Sequence, residues 1–571
     1  MYGFLVSNKE IKTIDEFVSG SMIVAGGYYF FYNPMNKFQN DKLFYEDENK
    51  VVLLDGVVLN IDELKKEYNK TSWKEVFDYI YQNSNSMFMD KLRGSFCGVV
   101  YDKTAKEIIA FTNHSGERAA YYYKNEDCLM IANHIFFIKS LLEQAGNSMN
   151  PCIQGCYEML ITGSCLSHNT PYSNVHRITA GKFISVKNNI VAEDYYHFFS
   201  NLPEHDLDLD ECIERGDVLF RQAVDRIFRK NTEYGYQGEC DLSGGLDSRM
   251  ATWVAHDLGY RNILNVCYCV KNHLDQTISQ KMANDLGNEY YFLPMDSNIF
   301  RDIDKKVTYT GGQIDYTLST GAVKVLETID NNIGMCCTGL LGEIQNAYWV
   351  EGEEHTKPKY WRDGIHERTK MVGTKFPSEY GKIYENYEQM NLYELSYNFY
   401  MSSAISRQQL VEVVSPFVDV DYLDFIYKVP LKWRRHYKYV LAWMTKKYPK
   451  ATMYKWASTG RLVNKSCDKE FNLSNRVDIV RFFRLAVNKM LRMVNVSYCF
   501  DSKFDMNPFE KWYKTDKEIR DYLDDYFEKN IGLVSVDSLK EDMVKMFKDG
   551  DHEDKLLVNN LLAAFKNFMT I

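Results

Sequence analysis

Proline is scarce, 11 in 571 residues, and no low-complexity segment or repeat interrupts the chain, so long disordered stretches are not expected. Positive charge is in deficit: 68 Lys and Arg against 78 Asp and Glu leave a net charge of −10. That balance argues against a general nucleic-acid binder, whose affinity depends on clustered cations. Hydrophobic runs are short. The longest early one, Met22 to Tyr32, is too short for a bilayer, and no basic n-region with an apolar core opens the chain. The 13 cysteines include no C-x-x-C pair, which argues against zinc and disulfide frameworks. Cys336-Cys337 and Cys267-x-Cys269 lie in apolar runs, so buried free thiols in a cytoplasmic protein are expected.

A Walker A loop is missing as well, because no Gly-Lys-Ser/Thr occurs. What stands in its place is Ser243-Gly244-Gly245-Leu246-Asp247-Ser248. A short apolar segment ending at Leu242 precedes it, and a helical pattern over 248–258 follows, closed by Gly259. Strand, glycine-rich turn and helix N-terminus together make a phosphate site: bare glycine lets backbone N–H groups approach an anion, and the helix dipole adds positive charge. Ser243 and Ser248 offer further hydrogen bonds. Asp247 cannot hold a phosphate directly, so its place here implies a hard cation such as Mg²⁺ between them.

A chain of 571 residues is too long for one ordinary core, and two domains are expected. Over 1–202 the pattern is strand-rich, with helical spacing at Ile61–Tyr68, Trp73–Asn83 and Ile135–Gln144. The acidic stretch Pro203–Asp210 reads as a linker into a helix reaching about Lys230. Within 203–571, strands and helices then alternate: a strand into Leu242, strand Asn262–Val270, helix Asp275–Leu286, strand Glu289–Leu293 and strand Gly334–Cys337. That order predicts a parallel α/β sheet with its ligand at the strand C-termini. From about Tyr384 the pattern is mostly helical, ending in Leu556–Met569.

The Ser243–Ser248 stretch resembles the S-G-G-x-D-S signature of ATP pyrophosphatases, and the chain resembles the asparagine synthetase family over nearly its whole length. Leu54–Asn60 is similar to that family's N-G-E-I-Y-N segment, Leu92–Phe96 with Tyr101-Asp102 to its L-R-G-x-F…Y-D run, and Asn113–Gly116 to its R-D-x-x-G turn. Leu160–Gly181 is similar to the family's G-x…T…I…L-x-P-G passage, with Ala180 at the proline. Thr338–Glu343 resembles S-G-E-G-x-D, and Glu412–Asp419 resembles E-x-R-x-P-F-L-D. The resemblance implies an α/β and α+β protein of two domains. The first, 1–202, is an N-terminal-nucleophile (Ntn) αββα sandwich of the glutamine amidotransferase kind. The second, 203–571, is a PP-loop ATP-pyrophosphatase domain, adenine nucleotide alpha hydrolase-like, with a helical C-terminal part. It assigns ATP to Leu242, Ser243, Gly244, Gly245, Asp247, Ser248 and Gly339, and Mg²⁺ to Asp247 and Glu343.

The departures from the family pattern alter the expected chemistry. An N-terminal-nucleophile glutaminase needs Cys, Ser or Thr exposed at its first mature position, and Tyr2 stands there. Asp55 replaces the Asn of N-G-E, and Asn113 replaces an Asp that the family uses to grip glutamine. Glutamine hydrolysis is therefore expected to be lost. Leu340 takes the place of the Glu near the acyl-transfer chemistry, which argues against aspartate and ammonia as the preferred substrates, and Glu412 is the candidate substitute base. The family's downstream lysine falls on Ala457 or, with a small shift, on Lys455, the candidate catalytic cation. Lys432–Lys438 reads as a solvated basic face and Arg476–Met493 as a core-packing helix. Asp275 reads as an ordinary acidic helix cap. The insertion Tyr348–Tyr400 is either an acceptor pocket or a packed lobe.

The expected function is an ATP- and Mg²⁺-dependent ligase that activates a carboxylate as an acyl-adenylate for attack by an amine or ammonia. The alternatives are ammonia-dependent asparagine synthesis and a catalytically silent ATP-binding or partner-binding protein. Small-molecule or peptide carboxylates and amines are the expected partners, without nucleic acid or a transmembrane segment; a homodimer is left open.

Overall fold

A computed structural model describes residues 1–12, 19–84, 87–318, 320–329, 332–347, 350, 354–357, 365–373, 383–465 and 505–570, with scattered residues between 483 and 496. Most of the Arg476–Met493 stretch and much of the 348–400 insertion lie outside the described residues.

Twelve strands build two antiparallel sheets: β1 (Gly3–Ser7), β2 (Ser21–Ala25), β3 (Tyr28–Asn33), β4 (Leu43–Glu46), β5 (Lys50–Val58), β6 (Gly94–Asp102), β7 (Glu107–Thr112), β8 (Ala120–Lys124), β9 (Leu129–Ala132), β10 (Val175–Ile178), β11 (Lys182–Lys187) and β12 (Ile190–Tyr195). One sheet runs β10-β8-β9-β1-β3-β2 and the other β12-β11-β7-β6-β5-β4. Strand alternation decides the layers. Phe4, Val6, Val51 and Leu53 meet in a core between the sheets. Their neighbours Val52 and Leu54 turn outward, onto Trp73, Val76 and Ile80. Leu5 turns outward from the other sheet, onto Ile135, Ile138 and Leu160. Helices thus cover both outer faces, giving four layers. The run from Met22 to Tyr32 is a hairpin rather than one strand: Gly26 and Gly27, at φ 59° and 83°, reverse the chain between β2 and β3.

Five parallel strands follow: β13 (Gln237–Asp241), β14 (Ile263–Cys269), β15 (Glu289–Pro294), β16 (Ile333–Cys337) and β17 (Glu412–Val414). Their order is β15-β14-β13-β16-β17. The chain winds from β13 toward one edge and returns as β16 on the other side, so the crevice between β13 and β16 is the topological switch point where open α/β sheets bind ligands. The acidic stretch works as expected: Asp208 caps the helix Leu209–Glu233 in a capping box with Glu211. The segment 387–403 is helical and almost wholly buried, so this part of the insertion is packed interior, whereas 354–357 and 365–373 include exposed residues.

The eleven described cysteines are free thiols, all buried except Cys152. Among the described residues, no helix is long and apolar enough to cross a membrane.

Candidate functional site

At the switch point a cavity of about 260 Å³ opens. Leu242, Ser243, Gly245, Asp247, Ser248, Gly339 and Glu343 all line it, together with Asp241, Tyr268, Thr338, Leu340 and Met506. One group comes from the loop after β13, and another from the loop after β16. The two loops touch: a Cβ on Gly339 would sit 2.6 Å from the Ser248 backbone nitrogen, and one on Gly342 would overlap the Asp247 side chain. Glycine is required at both places by this approach, since the φ of neither is positive.

The first loop is held by its own side chains. Ser248 Oγ accepts from the Ser243 N–H at 3.1 Å and lies 3.0 Å from Ser243 Oγ, which accepts from the Gly245 N–H at 3.1 Å. The helix Asp247–Asp257 starts with no side-chain cap on its first turn, leaving its N-terminal dipole aimed at the cavity. Two residues the sequence reading undervalued fix the loop from behind. Asp275 does sit in the first turn of the helix Leu274–Leu286, but its Oδ1 accepts from the Gly244 N–H at 2.7 Å. Arg249, fully buried, donates to the carbonyls of Gly244, Ala451 and Lys455. No local pattern distinguishes either from a cap or a surface arginine, because Asp275 lies 31 residues from Gly244 and two of the three Arg249 acceptors lie about 200 residues away.

Asp247 and Glu343 face the same cavity. Burial, and then the neighbouring Glu343 charge, push the Asp247 carboxyl up to about 8; burial likewise raises Glu343. Asp247 Oδ1 is buried and has no hydrogen-bond partner. Among the described lining residues there is no Lys or Arg. Two carboxylates that repel, one with an orphaned oxygen, fit a hard divalent cation such as Mg²⁺.

Lys455 and Glu412 are not brought to this cavity. Lys455 is exposed, and it is the backbone of its segment that docks: the Lys455 carbonyl takes Arg249 and the Ala457 N–H donates to the Gly244 carbonyl at 3.0 Å. Glu412 begins β17, opposite Met335 and two residues before the strand end that faces the site. It is fully buried and ion-paired with Arg118 at 2.7 Å and Lys42 at 3.6 Å, so it is no free base for the cavity. The expected basic face is also only partial, because Arg434 is fully buried against Glu388.

Arg118 ties Glu412 to the first half of the chain, since its guanidinium also pairs with Asp55. Asp55 accepts further from Tyr32 at 2.8 Å and Asn133 at 3.0 Å. Burial opposes the Asp55 charge most strongly, but the Arg118 and Lys42 charges with the hydrogen bonds from Arg118 and Tyr32 together outweigh it and hold the carboxyl below the usual range. Nearby, the Asn113 amide donates to Glu117 at 2.7 Å. Tyr2 is exposed, and its backbone N–H donates to Gln409 at 2.9 Å.

A family profile described as a glutamine amidotransferase domain matches residues 36–197. Asparagine synthetase [glutamine-hydrolyzing] 2 of Bacillus subtilis (strain 168) is 24% identical over 221 residues, 36% of this chain. Over that part, the chain is similar to an asparagine synthetase. The match spans only 28% of that relative's length. Two solved structures are also similar in part. One is a glutamine phosphoribosylpyrophosphate amidotransferase from B. subtilis, covering 47% of this chain and 52% of its own at TM-score 0.22. The other is described as an allosteric regulatory enzyme of purine biosynthesis, covering 51% and 74% at TM-score 0.24. Both are 12% identical. The segment matched to an amidotransferase domain thus presents Asp55 and Asn113 already committed to buried neighbours.

Proposed function

We propose that the chain is an AMP-forming ligase that uses ATP and Mg²⁺ to activate a carboxylate, which an amine or ammonia then captures as an amide, without hydrolysing glutamine. The observation that carries the reading is the pair Asp247 and Glu343, facing each other from two loops at the switch point of a parallel sheet. Asp247 and Glu343 would hold Mg²⁺, which neutralises the charge on departing pyrophosphate. Ser243 and Ser248 would offer hydroxyl donors to the same group, with Gly245, Leu242 and Gly339 closing the walls. Asp275 and Arg249 would keep the loop in shape. The two domains, 1–202 and 203–571, would divide the work between scaffold and catalysis. Leu340 cannot accept a proton from an attacking amine, and general-base help is typically worth about 10²–10⁴ in rate. Aspartate with ammonia is accordingly a poor substrate pair.

The test is pyrophosphate release from ATP with a panel of carboxylates and amines, in the wild type and in Asp247→Asn. The variant keeps its fold and its thermal midpoint does not fall, because it removes a repelled charge, while pyrophosphate release drops at least about 100-fold. Normal turnover in the variant would remove Asp247 from the chemistry. No release with any pair in the wild type would favour the second reading, a silent ATP-binding protein, with which the exposed place of Lys455 outside the cavity lining agrees.

A further inference from the structure

Outside the residues that line the cavity, three side chains from three separate segments converge. Asp90 lies in the short helical turn Phe88–Lys91, His114 in the turn after β7, and His197 just past β12. The Asp90 Oδ1 is 2.9 Å from His197 Nδ1 and 3.4 Å from His114 Nε2. One ligand atom from each residue lies within 4.8 Å of the others. Donors bound at about 2.0–2.2 Å to a tetrahedral metal stand about 3.4 Å apart, so the two contacts to Asp90 already bracket that spacing and closing on an ion needs the histidines drawn together by at most about 1.4 Å.

The two histidines are enclosed among aromatic rings, while the Asp90 and Asp424 carboxylates stay open to solvent. His114 is buried, with Phe96 and Tyr196 rings edge-on at 6.4 and 5.1 Å, and Phe199 packs 4.5 Å from the His197 ring. A second observation concerns the far nitrogen of His197. Asp424 Oδ1, from the helix Val420–Ile426, lies 3.4 Å from His197 Nε2. A carboxylate behind one imidazole nitrogen keeps the proton there and turns the other nitrogen's lone pair inward, which is how metal-binding histidines are oriented.

We propose that Asp90, His114 and His197 form a binding site for one zinc-class divalent transition metal, with Asp424 as its positioning residue. Two imidazoles and a carboxylate suit Zn²⁺ or Co²⁺ better than Mg²⁺, which prefers oxygen ligands. The site is independent of Asp247 and Glu343. Its role is structural: the ion would clamp three loops of the first half, and through Asp424 join them to the second half. The rival occupant is a proton, which would make His197 a singly charged imidazolium donating from both nitrogens to Asp90 and Asp424.

The experiment titrates the chelator-treated full chain with Co²⁺ and reads the visible d–d bands of histidine-ligated cobalt. One equivalent saturates the bands in the wild type and in Asp247→Asn. His197→Gln abolishes them, and Asp424→Asn weakens binding about 10–100-fold. Zn²⁺ displaces the bands and raises the wild-type thermal midpoint, a readout that needs no variant to fold. Absent bands, or bands unchanged in a folded His197→Gln, would overturn the proposal. A wild-type midpoint insensitive to Zn²⁺ would do the same and leave the proton as occupant.

Discussion

Arg118 is the residue on which two halves of the chain depend. It neutralises Asp55 and Glu412 together, and all three are buried. Removing one partner from such a cluster leaves uncompensated charge, which costs about 3–5 kcal/mol. Arg118→Ala should therefore lower the unfolding free energy by that amount in a denaturant titration. Adding Glu412→Gln should recover part of the loss, a coupling visible in a double-mutant cycle. The same residues show what the sequence could and could not disclose at this scale. Ser243, Asp247 and Ser248 were legible because their geometry is set within six consecutive residues. Glu412 was misplaced because the group that claims it lies 294 positions away, and no local spacing encodes that.

Elements were the most legible level. The helices Trp73–Asn83 and Ile135–Gln144 and the strands β14 to β16 fall within a residue or so of the pattern reading, since alternation and helical spacing follow directly from which face is buried. The hairpin of β2 and β3 was missed because both strands are apolar and two glycines sit inside one continuous run. Two predictions belong here. Gly339→Ala should push apart the loops after β13 and β16, because the new Cβ meets backbone, 2.6 Å from the Ser248 nitrogen. A stability loss of about 1–3 kcal/mol and a larger loss of pyrophosphate release are expected, whereas Gly235→Ala, with nothing near its Cβ, but strained at φ 71°, should affect stability alone. In the helix Ile303–Thr310, burial pushes the Lys306 ammonium down to about 8. The native chain then binds fewer protons than the unfolded one above pH 8, so stability should rise from pH 8 toward 10.5. Its full extent is about 3 kcal/mol. The slope should be lost in Lys306→Met, as seen by comparing unfolding curves of the two proteins over that range.

At the scale of the molecule, the halves are joined by charge as well as by apolar contact. Arg226 reaches Glu63, Asp419 and Asp421 at 2.7–3.0 Å, and Arg93 reaches Asp421 at 2.8 Å. The first half is thereby held as a built part of the fold, although Tyr2 offers no thiol or small hydroxyl to attack an amide. Incubation with glutamine should release no glutamate above a heat-killed control, and a covalent glutamine analogue should leave the N-terminus unlabelled by mass spectrometry. Removing the first half should nonetheless impair the second, since it would strip Arg226 of Glu63 and Glu412 of Arg118.

The helix His552–Ala564 has a consequence for how the chain comes into being. Its Leu556, Leu561 and Leu562 pack in one core with Leu5, Ile138 and Leu160, and the Tyr316 N–H donates to Asn560 at 3.1 Å. Residues translated first therefore wait on residues translated more than five hundred codons later. At about 5–20 residues per second, that is a delay of tens of seconds during which a greasy sheet-and-helix face stands open on the ribosome. The nascent protein must be shielded by a chaperone or remain loosely folded until its last long helix emerges, and its yield in a heterologous host should track chaperone supply more than codon choice.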